Sequence, residues 1–360
     1  MDNYFLGTTS WEITPRPRPE LIALAPAVHG GVADPSVLDF STGVSPLAAP
    51  NELVAAVREA DLSRYPHPTA RPVREAVAAL HDVTPDCIVA GAGSVELIWA
   101  VARAFAGPGR AGLVVTPAFG EYEQALKASG ASVVDVRMAG PAFAFPSAAV
   151  AAALERSPIA VAFVCRPSNP CLTSAPAEEI VALARRFPET LFVIDEAYLP
   201  LFDDVETVPG GPNLAMLRSM TKVFALPGLR LGYLVATAPI AAAVQATLPP
   251  WNVSAPAQAA GVTGARLLPL HGAAIRDRIA SLRHSLRAGL TRVLGDPVHA
   301  GGPFLLYEAE SASRLVDRLR ERGIVIRHAE SFGLPRHLRL GVRDQRANET
   351  LVARWAELIA

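Results

Sequence analysis

The segment Ser219-Met220-Thr221-Lys222 and the nearby Arg230 combine three groups that could act on one small molecule. A lysine amine that is buried, or lies beside other cations, can lose its proton and attack an aldehyde. The Ser219 hydroxyl and the Arg230 guanidinium are suited to bind a phosphate group. The spacing therefore indicates a site for a phosphorylated aldehyde at Lys222. A loop lysine beside a surface arginine would show the same spacing and stays an alternative.

A carboxylate follows the apolar segment Leu191–Ile194, in Asp195-Glu196-Ala197-Tyr198. Open α/β sheets bind ligands at the carboxyl ends of their parallel strands, so Asp195 could face a ligand. There it could pair with a protonated pyridine nitrogen and keep that ring an electron sink, as pyridoxal 5'-phosphate chemistry needs. Tyr198 could reach the phenolic oxygen of the same ring. The alternative is an aspartate that caps a helix, with Tyr198 on a packing face.

Two other loops follow predicted strands. The loop Arg166-Pro167-Ser168-Asn169-Pro170 comes after Ile159–Cys165, and its Asn169 amide could contact the phenolic oxygen. An ordinary Asn-Pro turn is the simpler interpretation of this loop taken alone. Phe119 follows Leu113–Thr116 and could stack on the pyridine ring, although aromatic residues at such positions are more often part of the core.

The turn Gly91-Ala92-Gly93-Ser94 precedes a predicted helix, Val95–Phe105. Backbone N–H groups at a helix N-terminus bind phosphate, which makes Gly93 and Ser94 candidates for that contact. Nucleotide-binding α/β proteins have similar turns and form one alternative class. The full dinucleotide pattern, with its later acidic residue, is missing from this sequence.

Arg339 lies between two leucines in the late predicted strand His337–Val342. An arginine in such a strand is a natural two-pronged ligand for a substrate carboxylate. The alternative is an arginine on a solvated face of the strand.

A regular alternation of elements has to position these groups. Short aliphatic segments predict buried strands, mostly parallel, at Leu113–Thr116, Val133–Met138, Ile159–Cys165, Leu191–Asp195, Ala215–Arg218 and Leu231–Val235. Helical patterns lie between them at Val95–Phe105, Glu121–Ala128, Ala148–Leu154 and Ala177–Phe187. This order predicts an α/β fold with a mainly parallel sheet covered by helices.

The segment Leu248–Ser254 interrupts the alternation and indicates a domain boundary. Beyond it we expect helices at 257–268 and 272–294, separated by Pro269, and then a small α+β domain. Its predicted strands are Pro303–Glu308, Gly323–Arg327 and His337–Val342, and its predicted helices are Ala312–Arg320 and Asn348–Ile359. We therefore expect an N-terminal arm with part of the small domain (1–45), a large domain (46–250) and a small domain (251–360). The arm is rich in Pro and Gly, with one short predicted helix at Pro19–Leu24.

Composition excludes several classes of protein. The chain is 51% hydrophobic and 19% charged, with a net charge of −1, so it has material for a buried core and no basic surface suited to nucleic acid. No apolar stretch is long enough to span a membrane, and the N-terminus lacks the pattern of a signal peptide. Three cysteines do not form a disulfide framework or match a metal site. We therefore expect a cytoplasmic protein without a metal.

Taken in order, these motifs resemble the fold type I enzymes that depend on pyridoxal 5'-phosphate, specifically the class I and II aminotransferase superfamily, over nearly the whole chain. The resemblance implies a mainly parallel seven-stranded sheet between helices and a smaller α+β domain. It also implies a role for each candidate residue: Lys222 holds the cofactor as a Schiff base and moves the proton, Asp195 contacts the pyridine nitrogen, Asn169 and Tyr198 contact the phenolic oxygen, Phe119 stacks on the ring, Gly93, Ser94, Ser219 and Arg230 bind the phosphate, and Arg339 binds the substrate carboxylate.

Tyr65, in Arg64-Tyr65-Pro66, resembles the tyrosine that members of this superfamily extend to the cofactor phosphate of a second subunit. The resemblance therefore implies a homodimer with shared active sites.

Within the superfamily the chain is most similar to histidinol-phosphate aminotransferases and to the threonine-phosphate decarboxylases of cobalamin synthesis. Both groups act on phosphorylated substrates, which implies additional basic residues near the arm; the candidates are His29, Arg166, Arg327 and Arg343. We expect transamination, with decarboxylation as the alternative, and a non-catalytic protein of the same fold as an alternative of another class. The loop Ser168-Asn169-Pro170-Cys171-Leu172 departs from the usual Asn-Asn-Pro-Thr-Gly, which could change substrate fit or weaken activity.

Overall fold

A computed structural model describes residues 16–22, 24–203 and 205–359 of the chain. In chain order, the strands of the described residues are β1 (Leu38–Phe40), β2 (Ile88–Gly91), β3 (Ala111–Thr116), β4 (Val133–Arg137), β5 (Ile159–Cys165), β6 (Leu191–Asp195), β7 (Leu214–Ser219), β8 (Gly232–Val235), β9 (His299–Gly301), β10 (Phe304–Glu308), β11 (Ile324–His328) and β12 (His337–Gly341). The helices are α1 (Pro19–Ile22), α2 (Asn51–Arg58), α3 (Arg71–His81), α4 (Ser94–Phe105), α5 (Glu121–Ala128), α6 (Ser147–Arg156), α7 (Ala177–Arg186), α8 (Met220–Val223), α9 (Ala238–Gln245), α10 (Ala255–Leu294), α11 (Ala312–Arg320) and α12 (Gln345–Ile359).

The large sheet has the strand order β2-β8-β7-β6-β5-β3-β4. Its neighbouring strands are parallel except for β8, which pairs antiparallel with both β2 and β7. Every residue of β5 and β6 is buried, because helices cover the sheet on both faces. One apolar cluster packs α6 and α7 on one face, and a second packs α4, α5 and α9 on the other. The expected α/β architecture with a mainly parallel seven-stranded sheet is confirmed.

The small sheet has the order β1-β11-β12-β10-β9 and is antiparallel apart from the parallel pair β1 and β11. Helices α11 and α12 and the end of α10 pack on it around Trp355, which is fully buried. The short strand β1 joins this sheet from the N-terminal part of the chain. The division of the chain at residues 45 and 250 stays a prediction, and the membership of the two sheets is compatible with it.

One continuous helix of 40 residues, α10, replaces the two helices expected around Pro269. The prediction of a break was wrong. A proline inside a helix removes one backbone hydrogen bond and costs about 3 kcal/mol, which packing can offset. Here Ala265 and Leu267 before the proline and Ile275 and Ile279 after it are all buried, and α10 contacts α2 and α3 as well as α12. The helix therefore connects the two sheets as a single element.

Among the described residues, no helix is both long and apolar enough to cross a membrane.

Candidate active site

Two adjoining chambers lie where the strands of the large sheet end, and Lys222 lines both. The inner chamber has a volume of about 90 Å³, and the outer chamber has one of about 370 Å³. The inner chamber is lined by Gly93, Ser94, Val95, Phe119, Tyr122, Cys165, Asn169, Asp195, Ala197, Tyr198, Ser219, Thr221, Lys222 and Arg230. The outer chamber is lined by Val28, His29, Gly30, Ser41, Thr42, Val95, Phe119, Asn169, Tyr198, Lys222, Arg230, Arg327, Phe332 and Arg339. Of the fifteen residues predicted for the site, the chambers bring together all except Tyr65, Arg166 and Arg343.

Asp195 ends β6 with its carboxylate against the inner chamber, where it is only 5% exposed. Its Oδ2 accepts a hydrogen bond from the Tyr122 hydroxyl at 2.6 Å, and its Oδ1 accepts one from the backbone N–H of Ala197 at 2.9 Å. Burial raises the pKa of this carboxyl above its ordinary value, while the hydrogen bonds and Lys222 oppose that change. The carboxylate is thus oriented at the floor of the chamber, and a cationic ligand group would favour its ionised form.

Another part of the lining of the inner chamber is built from backbone, hydroxyl and guanidinium groups. Gly93 occupies the N-cap of α4 with φ +88°, and a Cβ there would meet Arg230 Nη2 at 2.5 Å. Only glycine therefore lets the guanidinium approach the first turn of the helix so closely. The Ser219 and Thr221 hydroxyls lie 3.1 Å apart on the same wall. Helix N–H groups, hydroxyls and a guanidinium together suit a phosphate.

Lys222 lines both chambers and lies in the short helix α8 that follows β7. Its Nζ is 5.7 Å from the centre of the Tyr198 ring, and its backbone carbonyl accepts a hydrogen bond from Ser45 N–H at 2.9 Å. The amine can therefore reach a ligand that occupies either chamber.

Arg339 is buried at the wall of the outer chamber, 4% exposed, and does not lie on a solvated strand face. Its Nη2 donates to the Ser41 carbonyl at 2.7 Å, and its Nη1 donates to the Asn169 side-chain oxygen. Its guanidinium lies 4.2 Å from the centre of the Phe304 ring. Burial lowers the pKa of Arg339 to about 10. Its Nε has no hydrogen-bond partner among the described residues, so this buried cation keeps unused donor capacity.

Arg327 is paired directly with Arg339 across β11 and β12, and it is 7% exposed. Its Nη2 donates to the Val28 carbonyl at 2.6 Å and to the Ser331 hydroxyl at 2.7 Å. Burial also lowers the pKa of Arg327. Within the described parts of the chain, the lining of the outer chamber contains no carboxylate. Two adjacent buried cations in such a wall favour an anionic ligand.

His29 brings the N-terminal arm to the rim of the outer chamber. Its Nε2 lies 2.8 Å from Glu121 Oε1, and its ring centre lies 5.4 Å from that of Phe119. The other oxygen of Glu121 accepts a hydrogen bond from Trp99 Nε1 at 2.7 Å. Through its contact with His29, Glu121 therefore holds the arm against α5 at the rim of the outer chamber.

Three predicted residues lie elsewhere. Tyr65 is 82% exposed, and its ring packs on Trp251. Arg166 donates to the Ala175 carbonyl at 2.7 Å and lines a separate open cleft of about 1210 Å³. That larger cleft contains none of the predicted cofactor residues, and its buried Arg166 is paired with Glu196, so we assign the site to the two chambers. Arg343 lies beyond β12 and lines neither chamber.

The altered loop closes without the usual glycine. Leu172 adopts φ +64°, a left-handed conformation that is uncommon for a residue other than glycine. Its N–H donates to the Ser168 carbonyl at 2.9 Å, and the Ser168 N–H donates to the Thr173 carbonyl at 2.7 Å. The loop therefore still presents Asn169 to both chambers, despite Cys171 and Leu172.

Sequence reasoning gave no role to Tyr122, which is fully buried and touches Asp195. The signal available was its position on α5, one turn after Phe119. An aromatic residue there also fits a core position, so the sequence could not indicate the contact with a residue 73 positions away.

The family model for aminotransferase class I and II matches residues 35–354, so the chain belongs to this family. It is accordingly an enzyme, and pyridoxal 5'-phosphate is its cofactor. The chain is similar to the histidinol-phosphate aminotransferase of Nitratidesulfovibrio vulgaris (strain DP4), with 32% identity over 365 residues that cover 95% of this chain and 96% of the relative.

Two solved structures share the fold. One is histidinol-phosphate aminotransferase from Sinorhizobium meliloti in complex with pyridoxal-5'-phosphate, with a TM-score of 0.81, 24% identity, and coverage of 89% of this chain and 90% of that one. The other is L-threonine-O-3-phosphate decarboxylase from Porphyromonas gingivalis, with a TM-score of 0.76, 25% identity, and coverage of 90% and 99%. The expected family, fold and cofactor are confirmed.

The inner chamber fits this cofactor chemically. The buried Asp195 carboxylate has a charge that a protonated pyridine nitrogen would balance, and its two hydrogen bonds fix its direction. A Cβ at Gly93 would meet the Arg230 guanidinium, so the glycine keeps this cation beside the first turn of α4, where both suit a phosphate. Lys222 is the one amine in the lining formed by the described residues.

Proposed function

We propose that the protein transfers the amino group of a phosphorylated amine to an oxo acid, with histidinol phosphate as donor and 2-oxoglutarate as acceptor. The observation that carries this proposal is the pair of buried cations, Arg327 and Arg339, in a chamber wall to which the described residues contribute no carboxylate. A wall of this kind favours substrates with an anionic group near the reacting amine. The similarity to named histidinol-phosphate aminotransferases supports the choice of donor.

The position of these residues in the lining of the inner chamber supports the roles that we propose. Asp195 would hold the pyridine nitrogen, Phe119 would cover the ring, and Asn169 and Tyr198 would contact its phenolic oxygen. Lys222 would carry the cofactor, and its Nζ would move a proton. When bound, the cofactor supplies an aldehyde for the substrate amine and an electron-poor ring that stabilises negative charge on the substrate carbon. The phosphate contacts are assigned to Gly93, Ser94, Ser219 and Arg230.

The outer chamber has to bind two different anions in turn. Histidinol phosphate carries a phosphate close to its amine, whereas glutamate and 2-oxoglutarate carry carboxylates. We propose that Arg339 binds the anionic group nearest the substrate amine, with Asn169 beside it. Arg339 donates a hydrogen bond to Asn169, and Asn169 lines both chambers. Arg327 and His29, nearer the arm, are assigned to the additional charge of the phosphate.

The experiment that tests this proposal compares two reactions of the purified holoenzyme. Incubation with histidinol phosphate and 2-oxoglutarate should form glutamate. Incubation with threonine phosphate alone should release no carbon dioxide. Carbon dioxide release without glutamate formation would instead identify a decarboxylase, and failure of both reactions would contradict the assigned substrate class.

The proposal includes a homodimer in which Tyr65 contacts the cofactor phosphate of the other protomer. Its support is the high exposure of Tyr65 in the single chain, beside the half-exposed Trp251. Mixing inactive Lys222→Ala chains with Tyr65→Ala chains tests this directly. A mixed dimer would hold one site with both native residues, so activity should rise above that of either variant. No recovery in verified mixed dimers would contradict sharing.

We also propose a cytoplasmic location, which agrees with the three cysteines being free.

A further inference from the structure

We propose that Tyr122 is a positioning residue that keeps the Asp195 carboxylate ionised and aimed at the pyridine nitrogen, and thereby sets how tightly the cofactor ring is held. The inference rests on the proposed role of Asp195. It concerns a residue with no assigned part in the reaction so far.

The first support is the way in which the Tyr122 hydroxyl is fixed in space. The side chain is fully buried, and its ring stacks on Phe163 with centres 5.1 Å apart and planes at 9°. Its edge contacts Phe119, with centres 5.9 Å apart. These contacts need only an aromatic ring and would be equally available to phenylalanine. Packing therefore does not explain why this position carries a hydroxyl.

The second support is what the hydroxyl does. It donates to Asp195 Oδ2 at 2.6 Å, and the Ala197 N–H donates to Oδ1 at 2.9 Å. One bond on each oxygen prevents the carboxylate from rotating. The Tyr122 bond is the only one of the two that comes from a side chain, so it is the one that substitution can remove.

The third support is the charge around Asp195. Burial and the neighbouring Glu196 both disfavour its ionised form, whereas Lys222 and the Tyr122 hydroxyl favour it. The charge of Glu196 is itself balanced by Arg218 at 2.7 Å and Arg166 at 3.6 Å. Cys165, also buried beside Tyr122, has its pKa raised to about 12 by burial and carries no charge at neutral pH. Tyr122 is thus the main neutral donor to a carboxylate that burial would otherwise neutralise.

The test compares the binding of two cofactors to apo-protein. Pyridoxal 5'-phosphate has the ring nitrogen, and its 1-deaza analogue has a C–H group in that place. Because Tyr122→Phe removes a hydrogen bond that favours the ionised Asp195 carboxylate, with which the ring nitrogen would pair, it should weaken binding of pyridoxal 5'-phosphate by about 10- to 100-fold. Binding of the deaza analogue should change by less than about threefold, since it makes no pair with Asp195. Equilibrium dialysis of each apo-protein measures both constants.

Tyr233→Phe is the matched control. Tyr233 is also buried, and its hydroxyl contacts His81 at 3.0 Å, away from both chambers. This variant should bind both cofactors as the native protein does. A double variant supplies a second measurement: in an Asp195→Asn background, Tyr122→Phe should no longer weaken binding of pyridoxal 5'-phosphate.

The outcomes separate this inference from the proposed function. Equal weakening for both cofactors, or none for either, would overturn the role of Tyr122 and leave the proposed function intact. A persistent effect of Tyr122→Phe in the Asp195→Asn background would also overturn it. Absence of a pyridoxyl label on Lys222 after borohydride treatment of the native holoenzyme would overturn both.

Discussion

The inner and outer chambers share a boundary but are assembled in different ways. The inner chamber is formed by segments that follow β2, β3, β5, β6 and β7 of one sheet. The outer chamber needs the arm, two strands of the small sheet and the rim of the large sheet. A single sheet therefore orients the groups assigned to the cofactor. The groups assigned to the substrate depend on parts of the chain that lie up to 299 residues apart, as in the bond from Arg327 to Val28.

The two chambers also differ in the charge of their buried side chains. The inner chamber has a buried carboxylate with its hydrogen bonds satisfied, whereas the wall of the outer chamber has two buried arginines. Because the cofactor groups and the substrate groups lie in different chambers, we expect substitutions to alter catalysis and substrate binding separately. The following substitutions test this expectation.

The largest effect is expected from Lys222→Ala, which removes the amine shared by both chambers. Turnover should fall by at least about 1000-fold, because the described residues of the lining include no other amine that could carry the cofactor. Glutamate formation is the measurement, and borohydride labelling should also disappear. A variant that retains full activity would contradict the assignment of Lys222.

Arg339→Gln should have the next largest effect, because it removes a buried cation that contacts Asn169 at the chamber boundary. We expect kcat/KM to fall by about 100-fold for both the donor and the acceptor, since the loss of a charge-assisted bond is worth ~3 kcal/mol. Steady-state kinetics with each substrate varied in turn measures this. A loss confined to one substrate would show that Arg339 does not serve both.

Arg327→Gln should separate the two substrates. We expect kcat/KM for histidinol phosphate to fall about 10- to 100-fold, with less than about a threefold change for 2-oxoglutarate. The reason is that the phosphate beside the donor's amine has close to two negative charges at neutral pH, whereas the carboxylate that takes its place in 2-oxoglutarate has one. Arg320→Gln, an exposed arginine of α11, serves as a control and should change neither value. An equal fall in kcat/KM for both substrates would show that Arg327, like Arg339, binds a group that the two substrates share.

Asp195 should make the stability of the apo-protein depend on pH. Burial raises the pKa of Asp195 in the folded state, so the protonated carboxyl contributes to the free energy of unfolding below the unfolded-state pKa of about 4. This contribution is lost as the pH rises through the folded-state pKa. Asp195→Asn removes this dependence. The variant should melt about 1–3 °C higher than native apo-protein at pH 8, with the difference vanishing near pH 4. Calorimetry at both pH values checks it, and a constant difference would be inconsistent with titration.

The smallest effect is expected for Glu121→Gln, which weakens the contact between α5 and His29. His29 is nearly half exposed, so the pair is worth little, and KM for histidinol phosphate should rise only about two- to threefold. The value of kcat should not change, because His29 lies at the rim. A tenfold fall in kcat would contradict this position and show that the arm takes part in the chemical step.

The comparison also explains which features could be predicted from the sequence. Strands β5 and β6 lie at the predicted residues, because strands buried on both faces have unbroken aliphatic sequences. The loops after them carry Asn169 and Asp195, so most of the inner chamber could be anticipated from local motifs. The helix α5 was also predicted with its observed ends.

Other features depend on contacts that no local pattern contains. Strand β1 has three residues, too few to show a period, and it is stabilised by pairing with β11 and by the burial of Phe40. The continuity of α10 through Pro269 depends on helices on both sides. The bond from Tyr122 to Asp195 and the bond from Arg339 to Asn169 join distant segments, so the residue types could be noted but not their partners.

The uninterrupted course of α10 has a mechanical consequence. One end of α10 packs beside the large sheet, and the other end packs against the small sheet. A movement of the small sheet toward the outer chamber would therefore require α10 to bend or tilt. The ring of Pro269 removes the bond that would otherwise link its nitrogen to the Ala265 carbonyl one turn earlier, so resistance to flexing is lowest there. Pro269 thus leaves the middle of the connecting helix with one backbone hydrogen bond fewer than the turns on either side.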